Sequence, residues 1–298
     1  KLVRTKRVVL TAPPGAGKST AIPISLTKNP AFSEGKIIVL EPRRLAAKQV
    51  SSRMAQTLGE ELGKTVGYRI RGEAKCSEKT KVEVVTEGIL IRMLQEDQQL
   101  TGVSTVIFDE FHERNLNADL GLAFCLEIAS VLRNDLKILV MSATLEIAAV
   151  SKLMQNAPIV SCDGKSFPVT PIWQTKPVVQ DQIIGKLIID VILEAISENK
   201  GSILVFLPGE GEIIKLASSL INKVPDNCHV FPLYGRLAFK DQQKAIKPIL
   251  AGRKIVLATN VAETSLTIEG IETVIDSGLS KRSIYDPNSG MARLVTQK

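Results

Sequence analysis

Two segments of this chain carry residue types whose spacing suits phosphate chemistry. The first is the run Thr11-Ala12-Pro13-Pro14-Gly15-Ala16-Gly17-Lys18-Ser19-Thr20. Gly15 and Gly17 allow a tight turn in which backbone N–H groups converge, and a helix starting near Lys18 adds its positive end. Lys18 can reach the outer phosphates of a nucleotide. Ser19 can ligate Mg2+ through its hydroxyl, with Ala16 and Thr20 completing the cradle. The full phosphate-loop pattern asks for glycine where this chain has Ala12, so the glycine set is shortened while the GxGKS core is intact. The second segment is Asp109-Glu110-Phe111-His112, directly after the apolar Val106-Ile107-Phe108. A carboxylate pair downstream of a phosphate loop is what nucleotide hydrolysis requires. Asp109 would hold Mg2+, through water, and Glu110 would orient and polarise the attacking water. His112 joins the catalytic candidates, although one histidine beside acids is also a common hydrogen-bonded bystander.

Such residues need a scaffold that brings distant segments to one edge. Short β-branched runs recur here, each followed by a helical pattern: Val8–Leu10, Ile37–Leu40, 81–85, 105–108 and 138–141. Apolar runs that alternate with helices predict an α/β fold, with mainly parallel sheets and helical crossovers. Ligands of such sheets bind past the C-terminal ends of the strands, where both segments lie. Pro158, Gly164, Pro168, Pro171 and Pro177 interrupt the alternation and read as a linker. An amphipathic helix over 182–196 comes next, then strands at 203–206, 229–231, 254–258 and 273–276. Two tandem domains are therefore expected, at 1–165 and 166–298. The length of 298 residues agrees with about 150 residues per domain.

Composition narrows the alternatives. A net charge of +7 is compatible with a polyanionic partner without requiring one. Four separated cysteines and two histidines do not make a zinc site. Scattered thiols suit a reducing cytoplasm. No run approaches the ~18 apolar residues of a membrane-spanning helix, and the basic start meets Pro13 too soon for a signal peptide. Aromatic residues are only 4%, and none is interleaved in a basic patch, so a bound strand would be gripped by its sugar-phosphate backbone rather than by base stacking. Glu41-Pro42-Arg43-Arg44, Thr86-Glu87-Gly88, Ser142-Ala143-Thr144 and Ala258-Thr259-Asn260 are each ordinary alone. Together they offer hydroxyls, amides and arginines suited to phosphates along one edge.

Taken in order, these segments resemble the DEAH/RHA group of superfamily 2 helicases, most closely its bacterial HrpB branch. The likeness runs through APPGAGKST (12–20), EPRRLAA (41–47), VGYRIRGE (66–73), VTEGIL (85–90), DEFHER (109–114), MSATL (141–145), FLPG (206–209), PLYGRL (232–237) and ATNVAETSLTIEGI (258–271). Phe111 departs from the DEAH spelling in the manner of the HrpB branch. The resemblance implies two tandem RecA-like domains and an ATP-dependent 3′-to-5′ helicase or translocase acting on single-stranded nucleic acid, RNA by family inference. ATP and Mg2+ would sit in the cleft between the domains. Arg53 and Glu269 would join the nucleotide-binding set. Ser142, Thr144 and Thr264 would couple hydrolysis to movement. Arg43, Arg44, Arg71, Thr86, Gly88, Gly209, Thr259, Asn260, Ser265 and Thr267 would line the nucleic-acid track.

The family's QRxGRAGR-type segment, which supplies arginine fingers worth about 10³–10⁵ in rate, is not found before Lys298. The resemblance therefore implies a weakly active core whose second domain lacks its last strand. A monomer is expected, with no membrane partner. The alternative is a nucleic-acid-binding module whose closure is gated by nucleotide with little hydrolysis. A small-molecule kinase on the same loop would leave the second domain and the 258–271 run unexplained.

Overall fold

The computed structural model describes the chain apart from Pro14, Ser33, residues 144–146, 165–167 and 175–182, Thr264, Ser265 and Lys298. The expected roles of Thr144, Thr264 and Ser265 thus lie outside the described residues. The chain divides into two compact units, Lys1–Pro168 and Val169–Lys298.

The first unit is built on strands β1 (Arg7–Thr11), β2 (Lys36–Glu41), β3 (Val66–Ile70), β4 (Glu73–Lys75), β5 (Val82–Thr86), β6 (Val103–Phe108), β7 (Lys137–Ser142) and β8 (Ile159–Ser161). They form one sheet in the order β4-β3-β5-β2-β6-β7-β1-β8. Its helices are α1 (Leu2–Thr5), α2 (Lys18–Thr27), α3 (Arg44–Thr57), α4 (Glu87–Glu96), α5 (Leu116–Val131) and α6 (Ile147–Leu153). The strands are apolar on both faces because each face has its own core. Alternating residues of β2 show this: Ile38 and Leu40 pack with Leu90, Leu122 and Cys125 of α4 and α5, whereas Ile37 and Val39 pack with Ile24, Val50 and Met54 of α2 and α3. Side chains alternate across a strand, so a doubly covered sheet needs an unbroken apolar run.

One strand departs from the expected parallel pattern. β4 pairs antiparallel with β3 across the turn Arg71-Gly72, where Gly72 takes a φ of 79°. Its residues, Glu73-Ala74-Lys75, are all exposed. A short polar edge strand has no hydrophobic period to reveal it, and the two-residue turn with a left-handed glycine closes the hairpin.

The second unit has four parallel strands, in the order β10-β11-β9-β12: β9 (Ser202–Phe206), β10 (Cys228–Leu233), β11 (Arg253–Ala258) and β12 (Ile271–Asp276). Its helices are α7 (Ile188–Glu198), α8 (Glu210–Leu220) and α9 (Phe239–Ile246). Ile188, Ile192, Ile213, Leu216 and Leu220 pack on Ile203, Val205, Ile255 and Leu257. The α7 side chains Ile188, Ile189, Ile192 and Ala195 recur at helical spacing and are buried. Arg253 ties the sheet to α7, its guanidinium donating to the carbonyls of Gly201 and Ile196 at 2.7–2.9 Å. A separate antiparallel pair, β13 (Ser280–Asp286) and β14 (Met291–Gln297), completes the unit.

Leu122 is fully buried in the core under α4 and α5. Leu122→Ala should lower the stability of the first unit by about 2–5 kcal/mol, read as an earlier denaturant midpoint, while the unfolding of the second unit stays where it was.

Candidate active site

In the first unit the C-terminal ends of β1, β2, β5, β6 and β7 lie on one edge, because these strands are parallel in register. β1 ends at Thr11, opposite Ser142 of β7, and the Ala12 N–H donates to the Ser142 carbonyl at 3.4 Å. The chain then turns through Gly15 (φ 78°) and Gly17 (φ 74°), and an added Cβ at either would meet nothing within 4 Å. Left-handed backbone, not crowding, is what demands glycine at both. Gly17 caps α2 without a side chain, so the first-turn N–H groups at Lys18 and Ser19 have no partner inside the helix. Pro23 within α2 cannot donate to the Ser19 carbonyl four residues earlier. The loop thus presents backbone donors, and the positive end of α2, to one small volume.

β6 delivers the acids to this edge. The Asp109 N–H donates to the Leu40 carbonyl at 3.1 Å. Glu110 then adopts a left-handed conformation with φ 49° and ψ 36°, which costs a non-glycine residue roughly 1–2 kcal/mol. A short 3-10 turn, Phe111–Glu113, succeeds it. Phe111 anchors that turn edge-on against Phe108, with ring centroids 6.1 Å apart. The aromatic residue in the DEFH segment is thus a packing element beneath the acids.

The four expected residues come together. Lys18 Nζ lies 2.9 Å from Glu110 Oε1, and both side chains are buried. His112 Nε2 lies 3.3 Å from Glu110 Oε2. The Ala143 N–H donates to His112 Nδ1 at 3.4 Å. With Nδ1 accepting, the ring proton sits on Nε2, on the side of the Glu110 carboxylate. The histidine therefore links the Glu110 carboxylate to the end of β7. Asp109 Oδ1 accepts from the Glu110 N–H at 2.8 Å, while its Oδ2 is buried with no hydrogen-bond partner. Burial, then the negative charge of Glu110, raises the Asp109 pKa; the Ser19 hydroxyl, the Lys18 ammonium and the Glu110 N–H oppose that shift. A buried, unpartnered carboxylate oxygen beside a serine hydroxyl fits a hard divalent cation. Among the described residues no three acid, histidine or cysteine ligands form a ready cage.

The remaining expected residues fall at several places. Arg43 reaches Glu113 at 3.1 Å, tying the start of α3 to the turn after Asp109 and Glu110. Arg44 donates to the Arg71 carbonyl at 3.2 Å. Thr86 and Gly88 sit at the start of α4. Arg53 is exposed on the third turn of α3. In the second unit, Gly209 precedes α8, where an added Cβ would stand 2.6 Å from Lys281 Nζ and 2.8 Å from Glu212 Oε2. Thr259 accepts from the Val261 N–H at 3.4 Å, and Asn260 lines a cavity of about 280 Å³. Thr267 and Glu269 are exposed in the turn before β12.

Sequence reasoning gave no individual role to four acids that the fold buries or pairs. Glu113 pairs with Arg43. Glu83 is buried between Arg69 at 2.7 Å and Lys36 at 3.5 Å. Glu41 is fully buried at the end of β2. Glu87 opens α4 and is buried, so desolvation first, then the charges of Glu113 and Asp119, push its pKa up to about 7. For Glu41, an acid at a strand end beside Pro42-Arg43 was the available signal.

The Glu87 shift has a defined sign. The folded pKa lies above the unfolded value, so Glu87 supports the fold most below the unfolded pKa, and that support is lost as pH rises through about 7. The stability of the first unit should fall between about pH 5 and 8, and Glu87→Gln should flatten that slope in denaturant titrations at fixed ionic strength. An identical slope in both proteins would refute the assignment.

Residues 1–153 match the DEAD/DEAH box helicase family, and residues 185–294 match the helicase conserved C-terminal domain. The ATP-dependent RNA helicase HrpB of Escherichia coli is 47% identical over 98% of this chain. An HrpA homologue of Haemophilus influenzae, also an ATP-dependent RNA helicase, is 38% identical over 99%. The chain spans 36% of the first relative and 22% of the second. A crystal structure of the E. coli DEAH/RHA helicase HrpB matches 100% of this chain and 38% of that one, with a TM-score of 0.88 and 46% identity. The fold is thus that of two tandem RecA-like helicase domains with mostly parallel sheets.

Proposed function

The chain belongs to the DEAD/DEAH box helicase family, and on that premise we propose that it forms the ATP-hydrolysing core of an RNA helicase moving 3′ to 5′ along single-stranded nucleic acid. The observation that carries this reading is the buried Lys18–Glu110 pair at 2.9 Å behind a glycine loop. The names of the relatives support ATP as the substrate and RNA as the polymer.

The chemistry grows out of the residues. The amides of Gly15 to Ser19 and the start of α2 receive the phosphates, with Ala16 and Thr20 in the same loop. Lys18 then exchanges Glu110 for a phosphate oxygen. That exchange releases Glu110 Oε1 to align the attacking water, while His112 holds Oε2. Substrate binding thereby frees the catalytic carboxylate from its resting ion pair. Ser19 and Asp109 would hold Mg2+, which when bound supplies charge neutralisation on the phosphates.

Ser142 joins the loop to β7 through its carbonyl; with Thr144 and Thr264 it belongs to the coupling set. Arg43, Arg44, Arg71, Thr86 and Gly88 of the first unit would contact the sugar-phosphate backbone. So would Gly209, Thr259, Asn260, Ser265 and Thr267 of the second. Arg53 and Glu269 are assigned to the nucleotide on family likeness. In this reading the ATP-binding domain runs over 1–165 and its partner over 166–298, and the chain works as a monomer in a reducing cytoplasm.

Lys18→Ala should abolish ATP binding, measured with a fluorescent analogue. Glu110→Gln should keep binding and slow hydrolysis by roughly 10²–10⁴. Unchanged turnover in both variants would remove the assignment. Labelled single-stranded RNA should bind with different affinity in the presence of an ATP analogue and of ADP. Equal affinity in the two states would defeat the motor reading and favour a passive binding module.

A further inference from the structure

The hydrolytic mechanism leaves one buried acid without a task. Glu41 is fully buried, and neither of its carboxylate oxygens has a hydrogen-bond partner. Burying such a group without a donor is costly, so an unpartnered carboxylate marks a place where something else completes the site. Glu41 ends β2, and the Asp109 N–H to Leu40 carbonyl bond locks that strand end to β6. The Glu41 and Asp109 carboxylates face each other, and Asp109 Oδ2 is also unpartnered.

The local charge balance points the same way. Glu41, Asp109 and Glu110 are three buried carboxylates, and among the described residues the buried ammonium paired with them is that of Lys18. Magnesium keeps several of its waters and takes only one or two carboxylates directly. A further acid near such a site therefore acts on the water shell.

We propose that Glu41 is a third carboxylate of the divalent-ion site, a positioning residue that accepts hydrogen bonds from ion-bound water and holds Asp109 in its rotamer. The inference rests on the nucleotide-binding reading of the glycine loop. It explains why an acid with no protein donor is kept at the end of β2. It also separates the roles of neighbouring residues: Ser19 and Asp109 grip the ion, Glu41 orients its shell, and Glu110 addresses the attacking water.

The test uses Mn2+ as a spectroscopic stand-in, with ADP and the full chain. Free and bound Mn2+ are read by electron paramagnetic resonance, and ADP binding in excess chelator is read by calorimetry. Glu41→Gln keeps the shape and removes the charge. It should weaken Mn2+ binding in the presence of ADP by about tenfold or more, while metal-free ADP affinity does not fall. Glu41→Asp, which keeps the charge, should retain more Mn2+ affinity than Glu41→Gln. Unchanged Mn2+ affinity in Glu41→Gln overturns the inference, as does an Asp variant no better than Gln. A parallel loss of metal-free ADP affinity also overturns it, because that loss means damage to the phosphate loop. A parent chain that binds no ADP at all overturns the nucleotide reading itself. Mn2+–ADP binding left intact by Glu41→Gln overturns this inference alone.

Discussion

The first unit is organised around a single buried ion pair, Lys18 with Glu110. Its partners come from loops after β1 and β6, two strands that are not neighbours, since β7 lies between them. Two charges removed from water are tolerable only when their geometry is held from outside. The holding is visible in small contacts: the Asp109 N–H on the Leu40 carbonyl, the Ala143 N–H on His112, and the Ala12 N–H on the Ser142 carbonyl. Each ties a functional loop to a neighbouring strand end, so the edge of the sheet acts as one frame.

That frame concentrates unfavourable features that no packing argument would select. Glu110 sits in left-handed backbone, Asp109 and Glu41 have buried oxygens without donors, and buried acids outnumber buried bases. The sheet beneath is apolar on both faces and strongly cross-braced, so it can carry this cost. Phe111 shows the division of labour within one motif: it packs on Phe108, and its neighbours on either side carry the carboxylate and imidazole of the candidate site. Local strain of this kind is characteristic of sites poised to bind a charged ligand.

The second unit repeats the architecture with fewer strands and a different use of charge. Lys254 is almost completely buried, and its ammonium donates to the carbonyls of Ala245 and Lys247 at 2.6 Å each. It caps the end of α9 where its helical carbonyls lack partners. Lys281 and Glu212 pair at 2.8 Å against Gly209, so a side chain there would have to push both of their ends aside. Among these described residues a lysine serves helix capping and strand-end packing rather than phosphate binding.

Much of this protein is legible in the order of its residues. Apolar runs bounded by turns fix alternating strands and helices, because a strand covered on both faces has no other composition. Gly15, Gly17, Lys18, Ser19, Asp109 and Glu110 are recognisable because their local spacing suits phosphate chemistry. The polar hairpin strand β4 escapes, since exposed Glu73-Ala74-Lys75 has no hydrophobic period. So do the partners of charged groups: Glu113 with Arg43, Glu83 with Arg69, Glu41 facing Asp109. Those pairings join residues from about fourteen to seventy positions apart, and only the strand order brings them within reach. Sequence determines which groups can react; the tertiary fold decides which charges are buried together, and burial is what gives them their energy.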